Sequence, residues 1–267
     1  MRPFLAVRLL CVLLALGLVA PAASAAIWQL AIQPILPRDR TVKAYTPLAE
    51  YLSRATGETI RIRASHNFVD YWESMRQPPG FDLVLDAAHF TDFRNQRMGY
   101  QVLAKLPDTV TYSLVTREDT LLFEPAELIG KRIATIPPPS LGGLRLTRMF
   151  PNPLRQPVVI ATRNAQESIE RLKRKQALAA LAPTPLIRGD DSLNVITTTD
   201  PVPHMALSAS PRVPAALRTR LRTALIEASQ RPAGKAMLEA IRLPRFVPAD
   251  NRLYRGYARL LEGTWGY

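Results

Sequence analysis

The sequence is poor in the residues from which most reaction centres are built. Its single cysteine, Cys11, sits in the first apolar run, so the chain beyond it offers no disulfide, thiol nucleophile or thiolate ligand. Three histidines, His66, His89 and His204, stand far apart and present no metal-ligand spacing. Glycine is scarce as well, 12 residues against 24 prolines, and the glycine-dependent signatures are missing. Gly130-Lys131 has Pro125 where a Walker loop needs its first glycine, and Arg132 where Ser or Thr would hold magnesium. GxGxxG, GxSxG and HExxH are absent, and nothing near Ser140 in sequence supplies it with a base. No catalytic residue, metal or cofactor is expected.

What the sequence does have begins with Arg2 and Arg8, the apolar run from Leu9 to Ala20, Pro21 and then Ala23-Ser24-Ala25. Small residues at the two positions read by a signal peptidase predict a secretory leader over 1–25, cleaved after Ala25. Its apolar core is shorter than the roughly 20 residues of a membrane span. Removing Arg2 and Arg8 leaves 33 basic against 22 acidic residues, a net charge of +11. The positive charge is uneven. Ten Lys and Arg fall between Lys131 and Lys175 against Glu167 and Glu170, an asymmetry able to steer anions or simply to be solvated.

Hydrophobic periodicity predicts strand, helix and strand in alternation. A strand at Ile27–Ile32 is followed by a helix from Tyr45-Thr46-Pro47-Leu48 to Gly57, a strand over 60–63, a helix over 68–77 capped by Asn67, and an apolar run over 81–87. A short helix over 89–98 and strands over 100–106 and 110–116 complete this set. A second set has strands over 131–136, 158–161, 177–182 and 195–199, with helices over 142–150 and 165–175. Helices led by Pro214, Pro232 and Asp250 close the chain, the last carrying Tyr254, Tyr257 and Leu261. The implied fold class is α/β, two lobes, each a β-sheet flanked by helices, with a ligand cleft between. Lobe 1 is expected to comprise 26–112 and 204–267, lobe 2 113–203, with crossovers near 109–117 and 195–208.

The stretch IATIPPPSLGGLRLTRMF, residues 133–150, is the most informative. Three prolines end a strand because they lack backbone N–H groups. Ser140 then suits a helix N-cap, and Gly142 and Gly143 leave the first turn free of Cβ atoms. Such a turn either binds an anion through its free N–H groups or only caps its own helix.

Taken in order, these landmarks resemble the phosphate/phosphite/phosphonate-binding subfamily of type II periplasmic solute-binding proteins, the receptors of ABC transporters. They are Tyr45 through Ser53 (YTPLAEYLS), Phe81-Asp82-Leu83-Val84, Glu127 through Ala134 (ELIGKRIA) and the Ser-Leu-Gly-Gly turn. The resemblance implies a periplasmic monomer that closes on a small anionic solute and delivers it to an ABC permease. In the family a Ser-Thr-Ser-Gly turn grips the oxyanion, a position that falls on Ser140, Leu141, Gly142 and Gly143; two hydroxyl donors are replaced here. It also implies ligand contacts from His89, Phe90, Tyr45 and Tyr112. No carboxylate lies in 176–183 to grip an amine, and Asp200 is the nearby acid. Two other readings remain open: a sensing protein for a membrane sensor kinase, or an enzyme using His89 with Asp86 or Asp200. Nucleic acid is not an expected partner.

Overall fold

The computed structural model describes residues 26–267, so the expected leader and its cleavage site lie outside the described residues. The first sheet contains strands β1 (Ile27–Ile32), β2 (Thr59–Ala64), β3 (Leu83–Asp86) and β4 (Gln101–Lys105). The two short strands of the crossovers are β5 (Thr109–Val110) and β11 (Val202–Pro203). The second sheet contains β6 (Tyr112–Arg117), β7 (Arg132–Thr135), β8 (Val158–Ala161), β9 (Ala179–Pro183) and β10 (Leu193–Thr198), and β12 (Ala206–Ala209) returns to the first. The orders are β2-β1-β3-β12-β4 and β10-β6-β9-β7-β8. Strands β1, β2 and β3 are parallel, and β12 enters antiparallel between β3 and β4. The outgoing and returning chains touch where β5 and β11 pair antiparallel, Val110 opposite Val202.

Among the described residues seven α-helices cover these sheets: α1 (Arg38–Thr56), α2 (Phe68–Arg76), α3 (Ala88–Met98), α4 (Leu141–Met149), α5 (Ala165–Lys173), α6 (Ala215–Glu227) and α7 (Pro232–Ala240). Helix α1 begins earlier than its sequence suggests and runs through Pro47. The carbonyl that Pro47 leaves without an N–H partner belongs to Lys43, an exposed residue, so water satisfies it and the helix continues. Gly57, at φ +74°, ends α1 in the left-handed conformation that glycine adopts without a Cβ clash. The expected third C-terminal helix is instead two 3-10 turns, Asn251–Tyr254 and Tyr257–Leu261. Gly256, at φ +92°, separates them.

The apolar residues sort onto the faces of the two sheets. On one face of the first, Leu48 and Leu52 of α1 meet Leu217, Leu221 and Leu225 of α6. On the other, Tyr71, Trp72 and Phe90 pack with Tyr254 and Leu261, and Leu141 and Leu144 of α4 join that cluster. Helix α4 therefore docks its start against both halves of the molecule. Beneath the end of β3, Asp86 accepts two hydrogen bonds of 2.6 Å from Arg94 and others from Tyr71 and Thr91. Both members of that ion pair are fully buried. Such a pair is tolerated because nearly every lone pair is satisfied, and removing one partner would strand a charge.

Candidate functional site

A cleft of about 320 Å³ opens between the sheets. It lies outside the carboxyl ends of β1, β3, β7 and β9, the usual ligand position in open α/β sheets. Gln33, Ile35, Leu36, Phe68 and Ala87 form one wall. The other is built from Tyr112, Thr135, Ile136, Ser140–Gly142, Asn164–Gln166, Leu181, Pro183 and Leu186. None of these carries a formal charge. The starts of three helices supply the polarity instead: Ala87 caps α3, Ser140 caps α4 and Asn164 caps α5.

The Ser140 turn shows how this works. Ser140 Oγ accepts from the Gly143 N–H at 3.0 Å and donates to the Ile136 carbonyl at 2.6 Å, fixing the proline turn to the helix. Leu144 N–H bonds back to the Ser140 carbonyl. The N–H groups of Leu141 and Gly142 have no intrahelical acceptor, because they precede the first full turn. Asn164 repeats the arrangement, its side chain accepting from Glu167 N–H at 2.9 Å and leaving those of Ala165 and Gln166 without one. Two helix starts thus present pairs of donors and positive dipole ends to one cavity. The dipole favours an anion by about 0.3–1 kcal/mol per helix, and each hydrogen bond to a charged oxygen by about 1.5–3 kcal/mol.

Neutral side chains frame these donors. A Cβ on Gly142 would lie 3.1 Å from the Tyr112 ring and 3.3 Å from Thr135 Oγ1, so glycine is what lets the ring reach the helix start. Burial pushes the Tyr112 phenol up to about 12; it therefore stays protonated at neutral pH and can donate. Gln33 accepts from Ala87 N–H at 3.1 Å and fixes the entry to α3.

Of the residues singled out in the sequence, Ser140, Leu141, Gly142 and Tyr112 line the cleft and the others do not. Gly143 faces the proline turn, where its Cβ would fall 2.3 Å from Pro138 N, so its role is packing. His89 is fully buried behind the wall, one ring nitrogen 3.1 Å from the Pro139 carbonyl. Burial depresses its pKa to about 4, which makes it a neutral tie between α3 and the proline turn. Phe90 is locked among Phe68, Tyr71 and Trp72, and Phe68 lines the cleft in its place, opposite Tyr112. Tyr45 belongs to the core under α1. Asp200 lies on another groove, its carbonyl accepting from Arg145 at 3.0 Å. Asp86, held by Arg94, Tyr71 and Thr91, is no free acid or base. The sequence reading missed Asn164 and Gln166, although Asn164 followed three residues later by Glu167 is a legible capping signal. It also missed Gln33 and Thr135, which only the sheet topology brings to the cleft.

Residues 30–254 match the family described as ABC transporter, phosphonate, periplasmic substrate-binding protein. No curated protein matches the chain by sequence. Among solved structures, PhnD1 from Prochlorococcus marinus in complex with methylphosphonate superposes with a TM-score of 0.74 at 12% identity, over 89% of this chain and 97% of that one. A binding protein component of an ABC phosphonate transporter from Pseudomonas aeruginosa gives 0.73 at 13% identity, over 88% and 85%. A Xanthomonas citri protein bound to ATP gives 0.73 at 14%, over 90% and 100%. These likenesses establish the two-lobed binding-protein fold. The family consists of binding proteins rather than enzymes and operates in the periplasm. With a match spanning most of its length, the chain belongs to the periplasmic substrate-binding proteins of phosphonate ABC transporters.

Proposed function

We propose that this protein closes its two lobes, 26–112 with 204–267 and 113–203, around a small oxyanion whose remaining substituent is apolar, and delivers it as a monomer to an ABC permease. The observation that carries this reading is the convergence of helix starts on a cleft with no charged lining side chain. In such a site the N–H groups of Leu141, Gly142, Ala165 and Gln166 and the Tyr112 hydroxyl receive the oxyanion. Ile35, Leu36, Phe68, Leu181 and Leu186 receive the apolar part. A phosphonate with a short alkyl group suits both; phosphate and phosphite use only the polar half. The wall offers no carboxylate to an amine. Closure follows from the division of contacts between lobes, since the ligand stabilises the state in which both halves touch it.

Calorimetric titration of chain 26–267 with methylphosphonate, phosphite, phosphate, a short alkylsulfonate and acetate tests this. Methylphosphonate binding that weakens about tenfold or more in Gly142→Val, and less in Tyr112→Phe, is the expected result. Binding of none of these anions, or binding indifferent to both substitutions, would overturn it. Retention of a sensor kinase and no permease from solubilised membranes would replace delivery with sensing.

A further inference from the structure

Helix α4 has a second polar surface. Arg145 lies one turn beyond Gly142, and Arg148 one turn beyond that. Facing them from the C-terminal segment are Arg255 and Arg259, and the four border a groove of about 670 Å³ beside the returning crossover at Asp200 and Pro201. Four arginines share this groove with two carboxylates, Asp200 and Glu262, so the cations are only partly neutralised. Arg148 is 3.9 Å from Glu262, and its other contact is the Arg259 carbonyl. Arg145 donates to a backbone carbonyl of Asp200, and Arg259 to that of Gly256. Arg255 and Arg259 are exposed and have no ion-pair partner among the described residues.

We propose that this groove is a second binding site, distinct from the cleft, for a small multivalent phosphate anion of the pyrophosphate class. Guanidinium forks match phosphate oxygens in pairs, and four of them around one concavity favour an anion that carries several such oxygens at once. A single carboxylate would meet one fork and leave the rest unneutralised. The groove is too open to discriminate by shape, so charge number is the selective feature.

Its position gives the site a consequence for the cleft. Arg145 and Arg148 belong to the helix whose first turn lines the cleft, while Arg255 and Arg259 belong to the segment that packs on α3, where Asp92 accepts from Ala258 N–H at 2.8 Å. An anion held by both pairs ties α4 to the first lobe, and thereby favours the arrangement in which the cleft walls meet. By linkage, a cleft ligand then strengthens groove binding by the same factor that the groove ligand strengthens cleft binding.

Titration of chain 26–267 with inorganic pyrophosphate at low ionic strength is the test. The expected result is saturable binding that falls about tenfold or more in the charge-reversed pair Arg255→Glu/Arg259→Glu and is retained in the cleft variant Tyr112→Phe. Both arginines are exposed, so an unchanged melting temperature verifies the fold. If the reversed pair melts early, the single Arg255→Gln, whose side chain has no partner to lose, should still weaken binding severalfold. Absence of saturable pyrophosphate binding, indifference to the arginine substitutions, or loss confined to Tyr112→Phe would each overturn the proposal. So would a glutamate-rich peptide that binds where pyrophosphate does not.

Discussion

The cleft and the arginine groove lie on the same helix and use opposite means to attract anions. At the first turn of α4 the attraction comes from N–H groups and the helix dipole, with no charged side chain in the cavity wall. One and two turns later it comes from Arg145 and Arg148, joined by Arg255 and Arg259. A closing cleft strips water from whatever lines it, and desolvating an arginine without a partner costs far more than desolvating an amide. Fixed dipoles are present in the unliganded state at no such cost, whereas the open groove leaves Arg148, Arg255 and Arg259 exposed to water. Burial therefore separates the two chemistries: partial charges where water leaves, full charges where it stays.

The largest break in this comparison is expected from Gly143→Val. Its Cβ would meet Pro138 N at 2.3 Å and Pro137 C at 2.4 Å, both backbone atoms with nowhere to move. The start of α4 must detach from the proline turn, lowering stability by about 3 kcal/mol in urea denaturation and abolishing cleft binding. Next comes acidification. His89 titrates near 4 in the folded protein, below the unfolded value, because burial disfavours its charged form. The unfolded chain then binds the extra proton as pH falls below about 6.5. Stability is full above that pH and is lost progressively between about 6.5 and 4, by up to about 3 kcal/mol. His89→Gln should flatten this window in melts recorded from pH 7 to pH 4.5.

Much of the frame was legible in the sequence because period and punctuation agree there. Asn67 and Ser140 announce their helices and cap them, and the apolar spacing of Leu217, Leu221 and Leu225 faces the core as expected. Where a strong local signal competed with long-range packing, the reading slipped. Pro47 looks like a helix start but sits within α1, because its stranded acceptor faces water. Asp250 looks like a helix cap and starts only a 3-10 turn, because Gly256 breaks the run. The candidate site was half legible for a related reason. The turn at Ser140–Gly142 is a local feature, but which side chains oppose it depends on sheet order, so His89 and Phe90 look available in sequence and are buried in the structure. Phe68 and Gln33, from other strand and helix ends, take the places on the cleft wall.

A smaller effect separates the two roles that the Ser140 hydroxyl could play. In the structure its one proton is donated to the Ile136 carbonyl while it accepts from Gly143 N–H, so it has no proton left for an anion and its contribution passes through the turn it holds. Ser140→Ala should cost about 1 kcal/mol of stability, the usual value of a lost N-cap, with a loss in cleft affinity of similar size in calorimetry. A loss many times larger than the stability change would mean that the hydroxyl turns from Ile136 to the ligand on binding.

Salt gives the smallest expected effect on the cleft and the sharpest contrast with the groove. Attraction between exposed full charges is screened over about 8 Å at physiological ionic strength, so pyrophosphate affinity at the arginines should fall about tenfold or more when sodium chloride rises from about 20 to about 200 mM. N–H groups that touch a desolvated oxyanion act at hydrogen-bond range, where no ion intervenes. Methylphosphonate affinity should therefore change by about twofold or less over the same range, most of it from the distant positive field. An equally steep dependence in both titrations would mean that the cleft draws its affinity from the surrounding arginines after all, and that the division between dipole and charge along α4 does not hold.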